Sequence, residues 1–289
     1  MDTVTSKYHV EYFTCSVTGY NGDKKVFDLI DSLITGTVSL QNKLAVHIGV
    51  RDVVRSKNGR LIAGVIAKYR TINLPHIGSM VTNNETKILL EQDEALLEKN
   101  FFIISRRWNL IVYQKNGNGC TPNQLAGYLT FLLHEAEESG EFSFHPVPDP
   151  AEIQDILARG ASKKIEFTIA ALNPKYVDQI APDINGFTAK ILHSTGGVHL
   201  RFSVTPARGE ALNTRGVWDI IQTLFAGNTH IKTAKAEMLD LEGHYRHPIN
   251  LLTKTVTDTI TVEMEGKYPI LNNIRLKLIE VYRAREELF

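Results

Sequence analysis

The sequence predicts an α+β protein of two domains, each a mostly antiparallel sheet with packed helices. Three observations carry this expectation. Strand-like runs and amphipathic helices are interspersed without a regular βαβ rhythm. An Asn58-Gly59 pair stands between two long β-like runs, the strongest short-range signature of a hairpin. The stretch HPVPDPAE resists both helix and ladder, and divides the chain near residue 148 into domains 1–147 and 148–289.

The elements follow in order. HVEYFTCSV reads as a strand. KKVFDLIDSLITG places Val26, Phe27, Ile30, Leu33 and Ile34 on one face of a helix that Gly36 stops. KLAVHIGVRDVVRSKNGRLIAGVIAKYRTI is the long hairpin, and FFIISRRWNLIVYQK is a second one that turns near Arg107 and Trp108. TPNQLAGYLTFLLHEAEESG continues as a helix. After the break, AEIQDILARG is a short helix. KKIEFTIAAL alternates, with Ile165, Phe167 and Ile169 on one face and Glu166 and Thr168 on the other. HLRFSVTP does the same with Leu200, Phe202 and Val204. A helix around GVWDIIQTLFAG, strands around IKTAKAEML and TDTITVEME, and a closing helix LNNIRLKLIEVYRAREEL complete the second half. That last helix reads as docked, with Ile274, Leu276, Leu278, Ile279 and Tyr282 on its apolar side; a dimer seam or a nucleic-acid contact is the alternative.

Composition narrows the function classes. The chain has 289 residues, 43% of them hydrophobic, enough for two cores. Basic and acidic residues balance at 32 each, so attraction to nucleic acid or membrane has to come from a local patch. Cys15 and Cys120 stand far apart and form neither a disulfide framework nor a metal knuckle, which fits a reducing cytoplasm. The opening MDTVTSKYHV lacks the pattern of a secretory leader, and no stretch is long and apolar enough to span a bilayer. The expected location is cytoplasmic.

YQKNGNGCTPNQLAGYL invites a phosphate-loop reading and then declines it. No lysine follows the glycines at the helix start, and Pro122 stands where a dinucleotide loop needs its third glycine. Strand, turn and helix remain, with Thr121 as N-cap and Pro122 at N1. A helix N-terminus lowers the pKa of a neighbouring thiol, the first requirement of a nucleophile. No histidine is placed beside Cys120 by spacing, however, and the structural reading prevails.

The long hairpin carries the candidate site. A two-residue loop at Asn58-Gly59 sets Lys57 opposite Arg60, Arg55 opposite Ile62, Arg51 opposite Ile66, Gly49 opposite Lys68 and His47 opposite Arg70. All these side chains then share one face. The ribbon has an apolar underside and an upper surface bearing Arg51, Arg55, Lys57, Arg60, Lys68 and Arg70, extended by Arg106 and Arg107. Such a ribbon suits phosphates, and its arginines would also suit an acidic protein. Elsewhere, His244 and His247 with Glu242 make a weak metal motif, and Glu263 and Glu265 share one side of a strand. No compact catalytic signature is present, so no catalytic residue, metal or cofactor is assigned. A metal-dependent nuclease using these acids or histidines is a minor alternative.

The order of segments resembles a group of bacterial and phage proteins. The second half, through KKIEFTIAALNP, LRFSVTPARG, KAEMLDLEGHYRHPINLLTK and the closing VYRAR helix, is similar to the RexA-like phage-exclusion family. The organisation also resembles the cytosolic component of the Kiwa phage-defence system. The resemblance implies a non-enzymatic homodimer that binds double-stranded DNA with little sequence preference. It also implies a membrane-protein partner in abortive infection.

Overall fold

The computed structural model describes residues 4–35, 40–43, 46–72, 74–78, 80–91, 93–158, 160–170, 199–226, 231–239 and 248–288. They form two units, Met1–Phe144 with Thr257–Phe289, and His145–Val256. The α+β expectation holds, and the first break falls close to residue 148. The second domain of 148–289 does not hold, because the chain's last segment returns to the first unit. Its reason is pairing: the last strand expected in domain two forms a ladder with the strand that opens domain one.

The first unit contains β1 (Thr5–Thr18), α1 (Val26–Ile34), β2 (Gln41–Lys43), β3 (Val46–Arg55), β4 (Leu61–Arg70), β5 (His76–Gly78) and β6 (Glu85–Lys87). It continues with β7 (Leu96–Ser105), β8 (Leu110–Gln114), α2 (Pro122–Glu135) and β9 (Glu141–Pro146). The second unit contains α3 (Pro150–Ala158), β10 (Ala161–Ala170), β11 (His199–Val204), α4 (Thr214–Ala226), β12 (Ile231–Leu239) and β13 (Ile249–Asn250). The chain then supplies β14 (Thr257–Glu265), β15 (Tyr268–Pro269) and α5 (Leu271–Arg285) to the first unit.

The first unit's main sheet is antiparallel, in the order β15-β14-β1-β8-β7-β4-β3-β2, with β9 also paired to β1. Both faces are covered. Phe102 and Ile104 of β7, Ile111 and Tyr113 of β8, and Ile62 and Ile66 of β4 join one core with Phe27, Leu29, Ile30 and Ile34 of α1 and Leu125, Tyr128, Leu129 and Leu132 of α2. Successive side chains of a strand point to opposite faces. The intervening Phe101, Ile103, Ala63, Val65, Leu110 and Val112 therefore face the other way, and all are buried. α5 covers that side, packing on β7, β8 and β14. It buries Ile274, Leu278 and Tyr282 at i, i+4 and i+8, while Leu276, expected on the apolar side, is 61% exposed.

Polar bonds hold α5 in place. Tyr12 Oη donates to Asp258 Oδ2 at 2.7 Å, and Arg285 donates to the same carboxylate from Nε at 3.2 Å and Nη2 at 3.0 Å. Ser105 Oγ and Tyr282 Oη share a hydrogen bond at 2.9 Å. Burial and the Asp258 carboxylate hold the Tyr12 phenol well above its ordinary pKa, so it stays a donor.

The second unit is a four-stranded antiparallel sheet, β11-β10-β12-β13. Ile153, Ile156 and Leu157 of α3 and Val217 of α4 pack on Ile165, Phe167, Ala234, Ala236 and Met238 of one sheet face. Asp149 caps α3, its Oδ1 accepting from the backbone of Ala151 at 2.9 Å and Glu152 at 3.2 Å. The chain enters and leaves this unit through adjacent backbone, with Val256 N donating to Val147 O at 2.8 Å.

This topology predicts how fragments behave. Residues 1–144 joined to 257–289 through a short flexible linker should melt cooperatively by circular dichroism. Residues 1–147 alone should not, since α5 and β14 are missing and one sheet face is bare. Cooperative unfolding of 1–147 would contradict the topology.

Candidate nucleic-acid interface

The long hairpin forms, but its two strands do not keep one register. Arg55 lies opposite Ile62, as the turn predicts, and Val54 lies opposite Ala63. Arg51 then lies opposite Val65, so Asp52 and Val53 together face Gly64. Two residues against one is a β-bulge. Asp52 sits at φ 53°, and its carbonyl accepts from the Arg275 guanidinium of α5. Gly64 fits because a Cβ there would come 2.7 Å from the Phe102 ring.

The bulge rearranges the expected basic face. Ile62 and Val65 are three apart on β4, hence on opposite faces, and so are Arg55 and Arg51. Arg51 pairs with Asp52 at 3.1 Å. Arg55 turns onto α1, donating from Nε to Asp31 at 2.7 Å and from Nη2 to Thr35 Oγ1 at 3.0 Å. Lys68 comes opposite Ile48 and Arg70 opposite Val46. They lie at the far end of β4, roughly 24 and 31 Å from its start at about 3.4 Å per residue. Lys68 stands in register with the buried Glu98 of β7, whose Oε1 accepts from Lys267 Nζ at 2.8 Å. The single face of six cations is thus dispersed: the bulge moves Arg51 to the other face, and the face that Arg55 and Lys68 share with Ile62 and Ile66 packs against α1 and α2.

Four of the eight predicted residues do meet. β4 and β7 are neighbours, with Leu61 opposite Ser105. Arg106 N donates to Arg60 O at 2.9 Å. The turn before β4 and the turn after β7 therefore sit side by side at one end of the sheet. They bring Lys57, Arg60, Arg106 and Arg107 to one rim. The first turn is a four-residue loop, not the tight pair expected. Ser56 N donates to Leu61 O, Asn58 Oδ1 accepts from Arg60 N, and Gly59 is at φ 65°.

Two of these cations are already balanced. Arg106 forms a bidentate pair with Asp28 of α1, at 3.0 and 2.7 Å, and lies 4.5 Å from the Phe27 ring centroid. Arg107 Nη1 donates to Glu286 at 3.1 Å. Lys57 and Arg60 are exposed, and their side chains have no partner among the described residues. The acids that neutralise Arg106 and Arg55 stand one helical turn apart on α1, a spacing the sequence displays in VFDLIDSLI.

Between the cations stands a residue that sequence reasoning passed over. Trp108 is 52% exposed at φ 63°, ψ 8°, followed by Asn109 at φ 47°. Leu110 N closes the turn onto Arg107 O. Two successive left-handed residues make a hairpin turn of the kind usually built from Asn and Gly. Asn109 suits it; a tryptophan in the left-handed region is strained and rare. The Trp-Asn pair between two apolar runs was the available signal. The Arg107 guanidinium sits 5.7 Å from the indole centroid.

The other candidate motifs resolve plainly. Residues 116–122 are a strand–turn–helix join. Thr121 and Gln124 form a capping box, Asn116 Oδ1 accepts from Asn118 N at 3.2 Å, and Tyr113 Oη donates to Cys120 O at 2.6 Å. Gly119 is required because a Cβ would come 1.8 Å from Asn100 Oδ1. Cys120 is buried, and burial pushes its thiol from the ordinary 9.0 up to about 12, opposite to the lowering its place at a helix start suggests. His244, His247 and Glu242 lie outside the described residues. Among the described residues no group of three or more His, Cys, Asp or Glu side chains could hold a metal ion, and no helix is long and apolar enough to cross a membrane. In the second unit, Arg201 holds the Glu166 carboxyl below its usual range from 2.5 Å, and Lys164 bridges Glu166 and Glu237 at 3.3 and 3.2 Å. Opposite charges there largely cancel.

The Cys120 environment has a measurable consequence. The folded thiol titrates above the unfolded one, so its contribution to stability is complete below the unfolded value of 9.0 and is lost as pH rises from there toward 12. Iodoacetamide at about pH 8 should label native Cys120 far more slowly than the urea-unfolded chain, as read by mass spectrometry. Equal rates would contradict the burial.

A family model described as "Family of unknown function (DUF6731)" matches residues 10–287, and the chain belongs to that family.

Proposed function

We propose that this protein is a cytoplasmic, non-enzymatic DNA-binding protein that contacts the phosphate backbone of duplex DNA through the two-turn rim, without reading base sequence. The observation that carries this is the pair of uncompensated cations, Lys57 and Arg60, beside the exposed Trp108 and the Arg106–Arg107 step. Lysine and arginine on a projecting turn neutralise phosphates and release counterions, a sequence-independent contribution. The RexA-like and Kiwa resemblance supports a role in prophage exclusion or anti-phage defence, as a homodimer acting with a membrane-protein partner. A second reading is a docking site for an acidic protein partner. It is favoured by the composition of the rim, since Trp and Arg are the residue types that dominate protein interfaces.

The rim reading sets a modest charge count. With two free cations, affinity for a random duplex should fall about tenfold between 50 and 200 mM salt. Lys57→Glu/Arg60→Glu should abolish the anisotropy change with an unchanged melting temperature, since neither side chain holds the fold. Arg55→Ala should leave binding within about twofold, because its guanidinium is committed to α1. Unaltered duplex affinity in the double variant would overturn the assignment. Binding of one stoichiometric acidic protein, with no duplex binding at low salt, would move the rim to the second reading.

A further inference from the structure

We infer that Trp108 is a base-stacking residue, and that the rim prefers nucleic acid with accessible base faces (single strands, overhangs and open ends) over closed duplex. This rests on the rim being a nucleic-acid site and names the ligand form it takes.

Three features of the turn support it. The first is strain without a local reason. A bulky residue in the left-handed region costs energy that Asn or Gly would avoid, and strained backbone persists where the surroundings or a function require it. Trp108 is half exposed, so core packing does not supply the reason. The second is presentation. The left-handed pair Trp108-Asn109 places the indole at the apex of a hairpin whose strands are locked in a sheet buried on both faces. A rigid platform loses little freedom on binding. The third is the neighbourhood. Arg107 flanks the ring at 5.7 Å, and Lys57 and Arg60 stand on the adjacent turn. A π-face beside cations that track a backbone is how proteins hold unpaired strands without reading sequence. In continuous duplex both faces of each interior base are occupied by neighbours, so Trp108 finds a partner only where a base is unpaired or terminal.

Trp108→Asn tests the idea cleanly, because Asn is the favoured residue at this turn position and the variant should fold at least as stably. The probes are a labelled single strand of mixed sequence and a covalently closed, relaxed circular duplex, in which every base pair is stacked on both sides. Affinity of the variant for the single strand should fall about tenfold, the equivalent of one lost stacking contact, while affinity for the closed duplex changes less than about twofold. The chain has two tryptophans, and Trp218 lies partly buried against the second unit's core. Quenching of intrinsic fluorescence by the single strand should therefore vanish in the variant. Equal losses on both probes, no loss on either, or quenching that persists would overturn the stacking role while leaving the phosphate rim intact. Absence of salt-sensitive binding to any probe in the native protein overturns the rim itself, and partition onto anionic vesicles in place of DNA would assign Trp108 to a membrane surface.

Discussion

The pairing of the chain's first strand with its last long strand organises the first unit. β1 and β14 run antiparallel from Thr5↔Glu263 to Glu11↔Thr257. That ladder brings α5 onto the sheet face that α1 and α2 leave bare. Without it, Val65, Phe101 and Ile103 would form an apolar surface, and burial of such side chains contributes about 1.5–3 kcal/mol each. The Tyr12–Asp258–Arg285 network then ties the first strand, the last strand and the last helix together.

Everything that happens to the basic residues follows from this two-sided burial. A hairpin whose upper face met solvent could carry a row of cations. A hairpin inside a covered sheet cannot, because an unpaired buried charge is costly. The cations therefore stand toward the ends of the strands, where they stay exposed and acids pair some of them, as Asp31 does Arg55 and Asp28 does Arg106. Lys57 and Arg60, without a partner among the described residues, stand at the rim, where two turns leave the sheet together. The bulge at Asp52 and Val53 is part of the same solution. It flips the face of every β3 residue before it and presents a carbonyl to Arg275.

Much of the fold was legible, and the reasons differ by element. The helices α1, α2 and α5 and the strands β10 and β11 show clean periodicity, so their existence and type followed directly. The turn at Asn58-Gly59 set the register correctly as far as Val54. The bulge could not be read, because it depends on one residue adopting a positive φ and no local chemistry demands that of aspartate. The run LIAGVIA was the overlooked warning: seven consecutive apolar residues do not make a half-exposed strand. The return of β14 was hidden as well. TDTITVEME alternates like any edge strand, and nothing in it names β1 as its neighbour. At the site, residue types were legible and their grouping was not; Lys68 and Arg70 lie a strand's length from Lys57 and Arg60.

The most direct measurement is hydrogen–deuterium exchange of the native protein with and without nucleic acid, read peptide by peptide. Binding at the rim predicts new protection confined to two turns far apart in sequence, residues 56–60 and 105–110, with the β10–β12 sheet unchanged. Protection centred on the second unit, or on the far end of β4 around Lys68 and Arg70, would contradict the rim as the site of contact.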